Sequence, residues 1–261
     1  MRDRLSFSRF LGLAIEDSIP DATTLWLFRE KLAKAGLIEK LFDRFDQHLA
    51  AKGYMARGGR SSTPVSCRCR RSGTVVTRTP SCRLGAHRQG GSRSPPKCGR
   101  KDCDARWTKK HGRSFFGYKN HVNADAKHKL IRHYAVTDAA VHDSQELDEL
   151  LDEGNTCNDV FADSAYRSAE IEAKLRVSGY KSRIHRRGRR NHPLSLAQVR
   201  VNLAKSRIRA RIEHVFGAQQ NAPGGRIVRT IGIMRARAKI GLQNLAYNIR
   251  RLVTLERLAA A

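Results

Sequence analysis

Two acidic residues, Asp163 and Glu213, are candidates for carboxylates that act on phosphate esters. Asp163 follows an apolar run in Phe-Ala-Asp-Ser-Ala-Tyr-Arg, and Glu213 lies in the arginine-rich phrase Arg-Ile-Arg-Ala-Arg-Ile-Glu-His-Val-Phe-Gly. Phosphodiester cleavage is commonly assisted by two divalent ions about 4 Å apart. Mg²⁺ keeps several waters and takes oxygen ligands, so that two or three carboxylates suffice. The pair predicts a Mg²⁺ site in which Asp163 and Glu213 are both metal ligands and catalytic residues.

Spacing alone leaves other interpretations of these acids open. Arg209 lies one helical turn before Glu213, so it either supports that carboxylate or contacts a phosphate. Glu213 is equally compatible with an ordinary surface ion pair, and Asp163 with an ordinary turn. A competing acidic cluster follows a predicted strand, and its acids also suit a helix entry: Asp138, His142 and Asp143.

The charge balance indicates an anionic partner. The 261 residues include 51 Lys and Arg against 24 Asp and Glu, which gives a formal net charge of +27. Such a chain is attracted to phosphate backbones, although a ribosome-associated or merely solvated basic protein has the same composition. We expect DNA contacts from six arginines in two runs: Arg186, Arg187, Arg189, Arg190, Arg207 and Arg211.

Apolar patterning and cysteine spacing exclude several classes. No run approaches the ~18 apolar residues of a membrane span, and the N-terminus has no apolar signal core. We therefore expect no membrane partner and a cytoplasmic location on nucleoid DNA. Cys67 and Cys69 are too closely spaced for a zinc knuckle, and no histidine pair follows Cys98 and Cys103 at finger distance.

The chain divides into three predicted regions. Residues 1–56 predict a small helical domain, because apolar residues recur at helical spacing. Residues 57–101 have basic residues, prolines and cysteines but no acid between Arg57 and Lys101, which predicts an irregular basic segment. Residues 102–261 predict a β-hairpin, a short buried strand ending at Asp163, and intervening helices, which together indicate an α/β fold with a mixed sheet flanked by helices.

Several phrases together resemble the insertion-sequence DDE transposases of the insertion-sequence-five type. They include Phe-Gly-Tyr-Lys-Asn-His-Val-Asn-Ala-Asp, Val-Thr-Asp-Ala-Ala-Val-His-Asp-Ser, Phe-Ala-Asp-Ser-Ala-Tyr, Arg-Ile-Glu-His-Val-Phe-Gly and Ala-Lys-Ile-Gly-Leu-Gln-Asn-Leu-Ala-Tyr-Asn. The resemblance implies a ribonuclease H-like catalytic domain after a helical domain. It also implies Mg²⁺-dependent cleavage at transposon terminal repeats and strand transfer into target DNA.

The resemblance also assigns roles and partners. It makes Asp163 the second catalytic acid and Glu213 the third, with Arg209 in a supporting position. Family members act on paired DNA ends, so it implies a homo-oligomer. Two departures are small: Ser206 stands in place of a Tyr, and Gln220 in place of a Lys.

The first catalytic acid is missing from its expected phrase. The family has text like Gly-Gly-Gln-Ile-Ile-Asp-Ala after the N-terminal helices, whereas this chain has Gly-Gly-Arg-Ser-Ser-Thr-Pro from Gly58 to Pro64. Loss of one base from CAG-ATC-ATC-GAC-GCC gives CGA-TCA-TCG-ACG-CC, which encodes Arg-Ser-Ser-Thr-Pro. We therefore expect a frameshifted segment over 60–100, the loss of a central strand with its Asp, and impaired cleavage. The alternative function is an inactive DNA-binding protein that acts as a repressor or a dominant-negative partner of intact transposase.

Overall fold

The computed structural model describes residues 12, 14, 17–56, 59–69, 102–110, 112–151, 155–188, 190–222 and 227–260. Its helices are α1 Ala22–Lys34, α2 Leu37–Ala51, α3 Leu147–Leu150, α4 Ala169–Val177, α5 Leu196–Asn221 and α6 Ile233–Ala259. Its strands are β1 Arg60–Cys69, β2 Arg106–Lys110, β3 Arg113–Asp125, β4 Ile131–Asp138, β5 Asp159–Phe161, β6 Lys181–Ser182 and β7 Ile227–Val228. Two short 3₁₀ turns cover Asp143–Glu146 and Ser164–Tyr166. Within these ranges, no helix combines the length and apolarity of a membrane span.

One mixed sheet organises the described strands. β3 is long enough to pair with two strands, β2 and then β4, along one of its edges. β1 pairs with the other edge of β3, and all three pairings are antiparallel. β1 also pairs in parallel with β5, and β5 with β6. The α/β prediction with a mixed sheet is therefore confirmed. The parallel pairing places the beginning of β1 beside β5, with both strands running in the same direction.

The structure corrects the expectation for the start of the basic segment. Residues Arg60–Cys69 form strand β1, in backbone register with β3 from Asp125 to Gly117. The predictions of irregular structure and of a lost central strand are wrong for these ten residues. The physical reason is that ladder hydrogen bonds come from the backbone, so tertiary pairing overrides a weak side-chain pattern. The rest of that segment, from 70 to 101, lies outside the described residues.

Capping side chains mark the beginnings of helices α1 and α5. Asp21 accepts a hydrogen bond from the backbone N–H of Thr24 at 2.6 Å, and Ser195 forms a reciprocal capping box with Gln198. These bonds satisfy backbone donors that have no partner inside the helix. At the short 3₁₀ turn Asp143–Glu146, the capping side chain is that of His142, which accepts from the N–H of Ser144.

Helix α6 is tied to the hairpin by buried amides. Asn244 bonds the side chain of Asn120 on β3 at 3.0 Å, and Asn248 bonds both the N–H and the C=O of Ile131 on β4. All three asparagines are almost fully buried. Because each amide finds partners, the polar cost of burial is met and the position of the helix on the sheet is specified. The neighbouring apolar cluster contains Phe42, Val122, Ala124, Ile131, Val215, Phe216 and Tyr247.

A buried ion network joins the β3–β4 hairpin to the helical domain. Arg132 contacts Asp125 at 3.2 Å and Asp46 of α2 at 2.7 Å, and it donates to the backbone carbonyl of Tyr54. Asp125 also accepts from the N–H of His128. Burial raises the pKa of Asp125, and the Arg132 guanidinium opposes that shift. The hairpin and α2 are thus connected through the buried Arg132, while Asp46 on α2 stays partly exposed.

The Gly241 position in α6 is expected to reject even a methyl group. A Cβ there would lie 2.5 Å from the Tyr134 hydroxyl and 2.8 Å from Cγ2 of Ile38. We expect Gly241→Ala to lower the free energy of unfolding by about 1–3 kcal/mol, because overpacking forces α6 away from its neighbours. The matched control is Gly217→Ala in α5, where no heavy atom lies within 4 Å. That helix-interior change should raise stability by up to about 1 kcal/mol. Urea unfolding of both variants tests the pair, and stabilisation by Gly241→Ala would contradict this packing.

Candidate active site

Asp163 lies just beyond the carboxyl end of β5. Its Oδ1 accepts a hydrogen bond from the N–H of Ser164 at 2.6 Å and so begins the 3₁₀ turn Ser164–Tyr166. Its side chain is 52% exposed. The residue therefore has both the ordinary turn role considered from the sequence and an accessible carboxylate at the edge of the sheet.

A chain of hydrogen bonds positions Arg209 beside this carboxylate. Nη1 of Arg209 lies 3.7 Å from Asp163 Oδ1 and 3.2 Å from Nδ1 of His185. The other ring nitrogen, Nε2, lies 3.1 Å from the backbone carbonyl of Asn202 and 3.0 Å from Oγ of Ser206. A carbonyl only accepts, so Nε2 carries the proton and Nδ1 accepts from Arg209. His185 is buried and thus acts as a positioning residue that the sequence patterns did not reveal.

Glu213 lies one turn beyond Arg209 on α5 and is exposed. In the part of the chain that the structure describes, the ion pair of Arg209 is made with Asp163 rather than with Glu213. The sequence alternative of an Arg209–Glu213 surface bridge therefore does not describe the observed pairing. Helix α5 packs against both β1 and β5, so the helix that carries Glu213 lies next to the strand that precedes Asp163.

The register of the sheet indicates the position where the first catalytic acid of the family phrase is expected. β1 pairs in parallel with β5 through Arg60 with Val160 and Ser61 with Phe161. Continued by two residues, this register brings position 63 level with Asp163. Counting along the family phrase from Gly59 gives the same position for its aspartate, which in this chain is Thr63. Two independent counts therefore converge on one residue that is not an acid.

The donor set is incomplete for the expected pair of Mg²⁺ ions. Among the described residues, no group of three or more His, Cys, Asp or Glu side chains is close enough to hold a metal ion. Asp163 also has a cation within ion-pair distance. Because one of the two carboxylates is paired with a guanidinium, the described residues do not present the two or three free carboxylates that Mg²⁺ ligation would take.

The competing acidic cluster has other partners. Asp143 forms an ion pair with Lys119 at 2.9 Å, and Asp138 accepts from the N–H of Ala140 at 2.7 Å. His142 Nδ1 lies 2.7 Å from the hydroxyl of Ser144. These acids and the imidazole support the turn into α3, which is the alternative to metal binding that the sequence left open.

The predicted DNA-contacting arginines divide into a loop group and a helix group. Arg186, Arg187 and Arg190 are exposed in the loop before α5, and Arg189 lies outside the described residues. Arg207 and Arg211 are exposed one turn apart on α5, and Arg211 also donates to the backbone carbonyl of Ala126. All five described arginines are therefore accessible, and their contact with DNA stays a prediction.

A second basic surface, which the sequence patterns do not predict, lies between α5 and α6. It is a groove of about 460 Å³, and its lining, as far as the described residues go, has no acid and four basic side chains: Arg29, Lys239, Arg250 and Arg251. Three of these cations come from α6, where their spacing of 11 and 12 residues completes about three turns. That spacing is the only sequence signal, and it is visible only once the helix is known to be uninterrupted.

The chain matches the family model described as "Transposase DDE domain" over residues 84–249 and the model described as "Transposase domain (DUF772)" over residues 1–31. The chain belongs to the DDE-domain transposase family.

A curated relative gives a more particular likeness. The chain is 31% identical over 149 residues to the transposase for insertion sequence element IS1106 of Neisseria meningitidis serogroup B. The aligned region covers 57% of this chain and 51% of that relative, so the chain spans about half the length of the relative. No solved structure is similar enough to match.

Proposed function

We propose that this chain is an insertion-sequence transposase whose metal-dependent cleavage and strand transfer at terminal repeats are impaired. The observation that carries the proposal is the parallel register of β1 and β5, which pairs Ser61 with Phe161 and, continued by two residues, brings position 63 level with Asp163. The catalytic acids of the proposal are Asp163 and Glu213, with Arg209 supporting Asp163. The missing third carboxylate lowers the affinity for Mg²⁺ and leaves the attacking water without a ligand set to hold it.

The strand order supports a ribonuclease H-like catalytic domain. Reading across the main path gives β4, β3, β1, β5 and β6, with antiparallel pairs among the first three and parallel pairs among the last three. This is the arrangement in which the first and second acids of such a domain follow neighbouring strands. Helix α5 then brings Glu213 from a third element.

The second candidate function is DNA binding without chemistry. It is favoured by the ion pair between Arg209 and Asp163, which neutralises one of the two remaining acids. A chain with a net charge of +27 retains affinity for phosphate backbones whether or not a metal is present. Such a protein, cytoplasmic and associated with the nucleoid, acts as a repressor or forms mixed oligomers with intact transposase and poisons them.

Salt-dependent binding to DNA separates the proposal from a structural role. We expect the full chain to bind a labelled duplex that carries terminal repeats with equal affinity in Mg²⁺ and in EDTA. The logarithm of the binding constant should fall linearly with the logarithm of salt concentration, because each neutralised phosphate releases counterions. Fluorescence anisotropy over a salt series measures both quantities. Absence of binding at low salt would contradict the proposed function.

The frameshift remains our explanation for the missing acid. Its support is the Arg-Ser-Ser-Thr-Pro text, which one lost base produces from the family phrase, and the acid-free composition that follows. The coding sequence tests this directly. Translation of residues 60–100 in the neighbouring frame should restore Ile-Asp-Ala, and failure to restore it would reject the explanation.

A further inference from the structure

A cavity of about 400 Å³ lies where the loop before α5 meets Arg167. It is lined by three arginines, a histidine, two apolar residues and a glutamine: Arg167, Arg186, Arg187, His192, Pro193, Leu194 and Gln198. Arg167 follows directly on the 3₁₀ turn that Asp163 begins, and Arg186 follows His185, which positions Arg209. Two of its lining residues therefore adjoin, along the chain, residues of the candidate active site.

The loop that carries the cavity is held by side-chain hydrogen bonds. The amide of Asn202 on α5 accepts from the N–H of Arg186 at 3.0 Å and donates to its carbonyl at 2.9 Å. At the other side, the capping box of Ser195 and Gln198 fixes the start of α5. The Arg186 backbone is thus fixed while its guanidinium stays free to meet a ligand.

The charge around the cavity is unbalanced. Burial is the largest cause that lowers the pKa of Lys205. The nearby charges of Arg167 and Arg186 lower it further, and Glu172 opposes them. Glu172 is also the carboxylate beside Arg167, at 3.7 Å. Among the described residues, no acid lines the cavity. Like charges held this close repel one another, and an anion between them relieves the repulsion.

The shape and chemistry of the cavity select the anion. Guanidinium groups match the oxygens of phosphate in a forked geometry. Pro193 and Leu194 give one apolar wall beside the cations, which suits a sugar or base attached to the phosphate. A volume of about 400 Å³ is at the small end of ligand sites, and it accommodates one nucleotide of a DNA strand.

We propose that this cavity binds the phosphate of a single nucleotide in a DNA strand next to Asp163, through Arg186 and Arg187. The inference rests on the proposed function, which supplies DNA as the ligand. It assigns these two arginines to one defined phosphate, whereas the sequence suggested only general contact with DNA. The bound phosphate holds the strand at the sheet edge where the candidate acids lie.

Substitution of the cavity arginines tests this inference. We expect Arg186→Gln or Arg187→Gln to weaken duplex binding roughly fivefold at 0.15 M salt and to reduce the salt slope by about 1, the loss of one phosphate contact. The matched control is Arg257→Gln near the end of α6, which removes the same charge from outside the cavity. The control should change affinity less than twofold. An equal effect of all three changes, or an unchanged slope in the cavity variants, would overturn the inference and leave DNA binding intact.

A second measurement separates the cavity from the rest of the protein. Arginine side-chain NMR signals of the full chain are followed while the dinucleotide d(TpT) or inorganic phosphate is added. We expect d(TpT) to shift the Arg186 signal at lower concentration than phosphate does, and Arg186→Gln to abolish the response elsewhere in the cavity. A response to phosphate alone would overturn binding of a nucleotide. A d(TpT) response in a chain that binds no duplex supports the cavity and contradicts the proposed function.

Discussion

Thr63→Asp is expected to give this chain Mg²⁺-dependent nicking of DNA that carries matched terminal repeats. Continued by two residues, the β1–β5 register brings position 63 level with Asp163, so we expect the new carboxylate to lie near that of Asp163. A completed metal site contributes several kcal/mol of transition-state stabilisation. Because about 1.4 kcal/mol corresponds to a factor of ten in rate, we expect at least about a 10³-fold increase over the unaltered chain.

Two controls make the gain of activity specific. Thr63→Asn has nearly the same shape as Thr63→Asp without the charge, and it should leave nicking undetectable. Adding Asp163→Ala to Thr63→Asp should remove the activity again. Nicking of a supercoiled plasmid measured on gels gives all three rates. Equal nicking by the Asn and Asp variants would show that the register does not define a carboxylate site.

Loss of Arg132 is expected to destabilise the fold strongly. Its guanidinium is 4% exposed and lies between Asp125, which is fully buried, and Asp46 of α2. Arg132→Met leaves Asp125 buried without its cation, and breaking a buried pair in this way costs about 3–5 kcal/mol. Urea unfolding followed by circular dichroism should show a lower midpoint with little change in slope.

The double variant Arg132→Met with Asp125→Asn separates an unpaired charge from lost packing. Since no charge is then left alone at the hairpin, we expect it to regain most of the lost stability. Lys174→Met, which removes an exposed ion pair with Asp148, should leave the midpoint unchanged. A Lys174 variant as unstable as the Arg132 variant would mean that burial is not the cause.

The sequence predicted the elements whose signals are local. Asp163 stands at the end of its strand, and Ser195 begins the long helix, because an apolar run and a capping side chain act within a few residues. The β3–β4 hairpin was likewise visible as alternation. These features depend on backbone geometry and capping chemistry that a short phrase contains.

The elements that the sequence did not reveal depend on distant partners. Strand β1 has no clear alternation, and its pairing with β3 and β5 comes from residues 50 to 100 positions away. His185 gives no signal because its role follows from Arg209 and Asn202, which reach it only after α5 packs. The alignment of position 63 with Asp163 likewise follows from the pairing of strands and not from local sequence. The sequence has Thr63 where the resemblance predicts an acid, and the register, continued by two residues, brings that position level with Asp163.

The measurement that tests the central claim most directly is strand cleavage by the unaltered chain. Purified full chain is incubated with DNA carrying matched terminal repeats in Mg²⁺, with Asp163→Ala in parallel. Our account predicts salt-sensitive binding by both proteins and no nicking by either, because Asp163 and Glu213 lack a third carboxylate. Mg²⁺-dependent nicking by the unaltered chain that disappears in Asp163→Ala would contradict it.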